Sequence, residues 1–259
     1  MYIDTHTHLF SEKFEGEYEA VIQRALDAGV DKLLLPNIDL DTVNAMNALE
    51  EKYPNNCFSM MGLHPSNVTE DVDHQLDLVK KELYSRPYIA VGEIGIDLYW
   101  DKTLLAQQQK AFEQQLLWAK ELNLPIVIHA RESFDEIFEI VDKHNDENLT
   151  GVFHCFTGTV EQAQKIIAYG GFKMGIGGVV TFKKAGLDKV VKEIPLEHLV
   201  LETDAPYLAP SPNRGKRNES AYIPFIADKL SDIFEMPVEE IAAITTKNAE
   251  QVFPKIIKA

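Results

Sequence analysis

The sequence contains few cysteines, and its acidic residues outnumber its basic ones. Only two of the 259 residues are cysteine, which excludes a disulfide framework. There are 25 Lys and Arg residues against 41 Asp and Glu residues, so the formal net charge is −16. A protein with this charge repels polyanions at long range, which argues against a broad surface that coats nucleic acid. A local pocket that accepts one strand end remains compatible with it.

Long apolar runs and linkers are also missing. No apolar run approaches the ~18 residues that indicate a membrane span. The first ten residues have neither a basic start nor the apolar run of a signal peptide. We therefore predict no signal peptide, no membrane association and a cytoplasmic location. No stretch rich in Pro, Gly or Ser divides the chain. We therefore expect one domain over residues 1–259.

Short apolar runs with few internal charges alternate with amphipathic stretches. This pattern is typical of parallel strands that are covered on both faces. The strand candidates are residues 2–4, 32–36, 57–62, 88–93, 125–129, 151–154, 171–176 and 199–203. Eight strands alternating with helices predict an α/β fold, a TIM (β/α)8 barrel with a C-terminal helix, in preference to two domains.

Helical periodicity fills most of the intervals between the strand candidates. The predicted helices are residues 17–26, 42–52, 104–122, 133–144, 161–169 and 238–252, the last with a possible break. Ser133 with Glu136 predicts a capping box. Cys57 opens the third strand and Cys155 follows the sixth, so we expect them at opposite barrel ends as free thiols.

Residue types that bind metals gather at the predicted strand ends. The carboxyl ends of barrel strands share one rim, where the active sites of such barrels lie, so these side chains should converge. Histidines lie at or just after several strands, Glu93 closes the fourth strand, and Asp204 follows the eighth. The five strand-end histidines are His6, His8, His64, His129 and His154.

The sharpest local signal is His6-Thr7-His8, because side chains two apart on a strand point to the same face. Glu93 in an apolar strand is costly unless it is paired or binds a metal. The alternatives are a solvated strand end for the histidine pair, a salt bridge from Glu93 to Arg131 and a capping role for Asp204. Glu202 is interpreted as structural or as supporting a ligand.

Four histidines and two carboxylates suffice for two divalent cations with one bridging carboxylate. Such ions, about 3.5–4 Å apart, can clamp the attacking and leaving oxygens of a displacement. Imidazole and carboxylate admit Mg, Mn or Zn, and the sequence does not decide among them. Cys155 as a catalytic nucleophile is the less favoured alternative.

The strand-end segments also resemble a known family along essentially the whole chain. They are similar to motifs of the TatD family of metal-dependent deoxyribonucleases, in the amidohydrolase superfamily. Leu98 and Ser220 depart from the usual pattern, at positions that bind no metal. The segments are His6-Thr7-His8, Gly62-Leu63-His64-Pro65, Gly92-Glu93-Ile94-Gly95-Ile96-Asp97, His129-Ala130-Arg131, His154-Cys155-Phe156-Thr157-Gly158, Glu202-Thr203-Asp204-Ala205-Pro206-Tyr207-Leu208 and Arg214-Gly215-Lys216-Arg217-Asn218-Glu219.

The resemblance implies a divalent-metal hydrolase that cleaves DNA phosphodiester bonds, as a 3′→5′ exonuclease acting on single-stranded ends. Its first ion would be held by Glu93, Asp204 and the His6–His8 pair. The second would be held by Glu93 as the bridge, with His129 and His154. Asp204 and Glu93 would be catalytic, with Asp204 as the proton acceptor for an attacking water.

Other groups on the same rim are predicted to contact the substrate. These are His64, Arg131, Arg214, Lys216 and Arg217 for phosphates. The alternatives are a supporting or capping role for His64 and solvated loop charges for Arg214, Lys216 and Arg217. Four aromatic residues could stack on a terminal base or pack in the core or a lid, namely Tyr99, Trp100, Phe156 and Tyr207. The competing enzyme is a hydrolase of esters or amides, including an aminoacyl-tRNA ester. A non-catalytic scaffold is a further alternative that would require missing ligands. The sequence makes no prediction of the oligomeric state.

Overall fold

Eight parallel strands form the centre of the fold in the computed structural model, which describes residues 1–99 and 101–258. Hydrogen bonds join β1, β2 and β3, in that order, in one ladder. A second ladder contains β4, β5, β6, β7 and β8, also in that order. A bridge between Met61 and Val91 links the ladders, and the Thr5 amide donates to the Leu201 carbonyl at 3.0 Å. The strands are β1 Tyr2–Asp4, β2 Val30–Pro36, β3 Cys57–Met60, β4 Val91–Asp97, β5 Ile126–Arg131, β6 Gly151–Phe153, β7 Phe172–Ile176 and β8 Leu199–Leu201.

Helices alternate with the strands, and the predicted α/β barrel is confirmed. Three helices that the sequence analysis did not predict follow β3, β7 and the long loop after β8. The last helix runs without the predicted break. In the described part of the chain the helices are α1 Tyr18–Asp27, α2 Val43–Lys52, α3 Val72–Leu83, α4 Leu105–Leu122, α5 Phe134–His144, α6 Val160–Ala168, α7 Leu187–Lys192, α8 Ile223–Phe234 and α9 Val238–Val252.

The strands bury apolar side chains on both faces, as the low internal charge predicted. On β2, Leu34 belongs to the cluster inside the barrel, whereas Leu33 and Leu35 belong to the cluster between strands and helices. Phe253 and Ile256, beyond α9, belong to the inner cluster. Apolar side chains fill this part of the barrel interior, and the polar groups lie at the carboxyl ends of the strands.

The fourth and fifth strands continue beyond their predicted ends. Their register pairs Gly95 with His129 and Asp97 with Arg131. A Cβ atom on Gly95 would lie 2.1 Å from the His129 carbonyl oxygen, and its φ of +143° also disfavours any side chain. Glycine therefore allows the close strand approach that carries Asp97 to the same rim as His129.

The capping box predicted at Ser133 is wrong. The Ser133 hydroxyl makes no cap bond to α5, and it donates instead to the Ile96 carbonyl. This contact satisfies a backbone acceptor at the end of β4. The capping box in the structure lies at α6, between Thr159 and Gln162. Cys57 and Cys155 are free, as predicted, at opposite ends of their strands.

No helix among residues 1–99 and 101–258 combines the length and the apolar character needed to cross a bilayer.

Candidate metal centre

A cavity of about 650 Å³ opens at the carboxyl ends of the strands. Its walls contain the strand-end groups that the sequence analysis identified, with the exception of His6. The His6 side chain is fully buried beneath the others. The groups that line it include His8, His64, Glu93, His129, His154 and Asp204. The barrel therefore brings together residues that lie in or just after β1, β3, β4, β5, β6 and β8.

Glu93 lies at the centre of this cluster and presents each carboxylate oxygen to a different pair of imidazoles. Its Oε2 is 3.1 Å from His6 Nε2 and 3.6 Å from His8 Nε2. Its Oε1 is 2.9 Å from His129 Nδ1 and 3.4 Å from His64 Nε2. A carboxylate in this position has the geometry to bridge two cations.

Asp204 closes the cavity on the side of β8. Its Oδ1 lies 3.5 Å from His8 Nε2, 3.9 Å from His154 Nε2 and 4.0 Å from His6 Nε2. The residue adopts a left-handed backbone with φ of +58°, and its amide donates to the His6 carbonyl at 2.9 Å. The strained conformation is held by this contact between β8 and β1.

Two groups around Glu93 place their donor atoms within 4.8 Å of one another and could each hold a cation. One group is His6, His8 and Glu93, and the other is His64, Glu93 and His129. Imidazole nitrogens and carboxylate oxygens are suitable donors for the divalent metals considered above. The donor set therefore fits metal binding, and it brings His64, predicted as a phosphate contact, among the candidate ligands.

His154 lies between the two groups. Its Nε2 is 3.7 Å from Glu93 Oε1, and its ring stacks on His6 with centroids 3.4 Å apart. It also forms a possible donor group with Cys155 and Asp204. All six predicted ligands thus meet at one place, while their assignment to one ion or the other remains a prediction.

The electrostatics of the cluster favour added positive charge. Burial raises the pKa of Glu93, but the nearby His6, His64 and His154 outweigh it and hold that pKa well below its usual range. Burial lowers the pKa of His154, but Glu202, Glu93 and Asp204 outweigh it and raise the pKa to about 10. Burial and the charge of His154 lower the pKa of His6 to about 4.

Two further carboxylates stand behind the histidines. Asp97 Oδ2 lies 2.9 Å from His129 Nε2, the nitrogen that faces away from Glu93. Glu202 Oε1 lies 3.0 Å from His154 Nδ1, again on the side away from Glu93. The sequence analysis proposed a supporting role for Glu202 but missed one for Asp97, although the alternating pattern of β4 places Glu93 and Asp97 on one face.

The Glu202 side chain fits behind His154 because the adjacent residue on β7, Gly175, has no side chain. A Cβ atom on Gly175 of β7 would lie 2.0 Å from Glu202 Oε2. The other oxygen, Oε1, accepts a hydrogen bond from the Cys155 amide at 2.6 Å. The buried carboxylate is therefore fixed by the backbone that carries His154.

The predicted phosphate contacts fall into different places. Arg131 lines the cavity, with its guanidinium 3.9 Å from the Tyr99 ring. Arg214 and Lys216 are exposed on the loop after β8. Arg217 is held in ion pairs, 2.9 Å from Glu17 and 3.0 Å from Glu219. The last arrangement braces the loop against α1.

The predicted stacking residues also separate. Tyr99 and Tyr207 are exposed, and Tyr207 lines the cavity. Phe156 is only 1% exposed and packs on Phe134, so of its two predicted roles the structure supports core packing and not base stacking. Trp100 lies outside the described residues.

One protein-family model matches nearly the whole chain. The profile described as "TatD related DNase" matches residues 3–254. The chain belongs to the TatD-related DNase family. It is the family that the motifs at the strand ends resemble. Membership confirms the prediction that the protein is a metal-dependent hydrolase. The scaffold alternative loses its basis, because none of the predicted ligands is missing from the site.

Similar TatD-family chains cover the same length. An uncharacterized metal-dependent hydrolase of Bacillus subtilis, YabD, is 38% identical over 254 residues, with 98% of this chain and 99% of that one covered. A Yersinia pseudotuberculosis protein named 3′-5′ ssDNA/RNA exonuclease TatD is 32% identical, with 96% and 98% covered. The crystal structure of the TatD homologue YjjV from Escherichia coli superimposes with a TM-score of 0.90 at 32% identity, and 98% of each chain is covered.

Proposed function

We propose that this protein is a divalent-metal-dependent nuclease that shortens single-stranded DNA from its 3′ end. The observation that carries the proposal is the position of Glu93, with its two oxygens facing two separate imidazole pairs inside an open cavity. Such an arrangement suits two cations at one phosphodiester. The exonuclease activity for which the Yersinia pseudotuberculosis relative is named supports the same substrate class.

Two cations, of Mg, Mn or Zn, are assigned to the cluster. One would be held by His6, His8, Glu93 and Asp204. The other would be held by Glu93 with His129 and His154, and the distance from His64 Nε2 to Glu93 supports adding His64 to it. When bound, the cations supply a more acidic water and neutralise phosphate charge.

The protein side chains then divide the remaining work. Asp204 accepts the proton of the attacking water, because its side chain is 16% exposed at the cavity whereas that of Glu93 is 2% exposed. Arg131, at the cavity wall, neutralises the charge of a phosphate oxygen. Tyr207 provides an exposed ring on which a terminal base can stack.

The proposed function is tested by following single-stranded DNA labelled at the 5′ end or at the 3′ end. With added Mg²⁺, Mn²⁺ or Zn²⁺, we expect the 5′ label to yield a descending ladder and the 3′ label to be released at once as a mononucleotide. A chelator should stop both. A ladder from the 3′ label alone would reverse the assigned polarity. Intact DNA with every metal, from protein shown to hold two ions, would instead favour an ester or amide substrate.

Replacing Asp97 with Asn is expected to weaken metal binding by about 10- to 100-fold. The carboxylate that faces His129 Nε2 would be replaced by an amide, so the ring would no longer be held with Nδ1 toward Glu93. Titration of the apoprotein measures the affinity, and ¹⁵N spectra of the histidines report the tautomer of His129. Asp77→Asn, on the exposed side of α3, is the matched control. Unchanged affinity and tautomer would contradict this positioning role.

A further inference from the structure

Two neighbouring loops at the active rim differ in charge from the rest of the chain. They are residues 177–186 after β7 and residues 205–218 after β8, which we call the cationic loop pair. Together they contain five Lys and Arg residues and no Asp or Glu, in a sequence where acidic residues outnumber basic ones by 41 to 25. The basic residues are Lys183, Lys184, Arg214, Lys216 and Arg217.

The cationic loop pair packs as one unit. A Cβ atom on Gly178 would lie 2.1 Å from the Leu208 carbonyl oxygen, so the two backbones touch. The Ser211 amide donates to Thr181 Oγ1 at 2.9 Å. The Arg214 guanidinium lies 4.4 Å from the Phe182 ring. Charges on the two loops therefore share one surface.

The second loop is also anchored at its ends. The buried Asn218 side chain donates to the carbonyls of Thr203 and Tyr207, at 2.8 and 2.6 Å. Arg217 is engaged by Glu17 and Glu219. These contacts fix the position of the loop, so its basic residues are held near the rim without the ordering of a mobile segment on binding.

The remaining four basic residues carry uncompensated charge. Lys183, Lys184, Arg214 and Lys216 are exposed, and within residues 1–99 and 101–258 none of them forms an ion pair. Val179 and Leu208, one from each loop, line the metal-centre cavity. The two loops that carry these charges therefore border the cavity.

We propose that the cationic loop pair binds the phosphate backbone of the strand as it leaves the cavity, with Lys183 and Lys184 among its contacts. The inference rests on the proposed nuclease function and adds the course of the substrate outside the cavity. A polyanion is attracted to this surface and repelled by a protein whose net charge is −16. Each lysine that meets a phosphate releases a condensed counterion, so the interaction makes binding dependent on salt.

The test uses the double variant Lys183→Ala/Lys184→Ala and a single-stranded thymidine oligonucleotide with a fluorescent 5′ label. Affinity is measured by anisotropy over a series of salt concentrations, with chelator present to keep the strand intact. The slope of log affinity against log salt should become shallower by about 1.4, or 0.7 for each phosphate of a single strand that the variant no longer neutralises. The matched control is Lys80→Ala/Lys81→Ala, which removes two exposed lysines that are consecutive in sequence on α3. This variant should keep the full slope.

Cleavage separates the inference from the function on which it rests. With metal present, the loss of kcat/KM for the loop variant should be larger on the oligonucleotide than on a dinucleoside monophosphate, whose single phosphodiester is the bond to be cleaved. A wild-type protein that binds and shortens DNA, with a loop variant that retains the wild-type slope, would overturn the role of the loops. A wild-type protein that neither binds nor shortens DNA would overturn the nuclease function itself.

Discussion

Replacing Glu93 with Gln is expected to lower kcat/KM for phosphodiester hydrolysis by about three orders of magnitude, since metal stabilisation of the transition state is worth several kcal/mol. The amide keeps the shape of the side chain, but it removes the charge that faces five of the histidines. It also cannot offer an anionic oxygen to each of two cations. The loss therefore combines weaker metal binding with a poorer reaction.

Elemental analysis of the purified variant, together with kcat/KM on labelled DNA, measures the two parts of this effect. We expect the metal content to fall below that of the wild-type protein. Glu240→Gln, on the exposed side of α9, changes the same charge far from the cavity and should leave both measurements unaltered. A Glu93→Gln enzyme with full metal content and full activity would show that this carboxylate does not bridge the ions.

Asp204→Asn should reduce kcat by about 10²- to 10⁴-fold, the usual range for loss of a general base. An asparagine oxygen can still lie near His8 and His154, so the metal content should fall less than in Glu93→Gln. An amide cannot take a proton from water at neutral pH. The predicted signature is therefore poor turnover by a folded protein that still contains metal.

Circular dichroism and thermal unfolding establish whether the Asp204→Asn barrel is intact, and elemental analysis reports its ions. Asp232→Asn, exposed on α8, is a suitable comparison because it makes the same chemical change outside the site. Turnover at the wild-type rate would remove Asp204 from the proton transfer. The contacts of the Asp204 side chain would then have only a structural role.

The strand ends were predictable because strand residues obey a simple alternation. Alternation predicted that His6 and His8 would lie together, and their Nε2 atoms are 3.3 Å apart although both residues lie just beyond β1. Glu93 is conspicuous as a carboxylate in an apolar run. The location of His64 had no such rule, because it follows β3 in a loop without periodicity. Its ring is directed by local bonds, from the His64 amide to the Ile38 carbonyl and from the Ser66 amide to His64 Nδ1.

Long-range pairing set the other limit on sequence reasoning. Arg217 lies in a basic segment that suggests phosphate binding, yet its partner Glu17 comes from the opposite end of the chain. The supporting role of Asp97 depended on the extension of β4 past Gly95, which requires knowing that β5 approaches there. Such features arise from tertiary contacts, whereas hydrophobic pattern alone specified the order of strands in the barrel.

The contact between His6 and Asp204 has a consequence for how the enzyme is made. The two residues follow the first and the last strand, so a nascent chain that ends at β7 has the histidines but neither Asp204 nor the strand that closes the barrel. Synthesis must pass β8 before the full set of groups can meet. A polypeptide that ends before β8 therefore lacks the complete group of donor atoms, and removal of the chain from β8 onward takes Asp204 away from the other ligands.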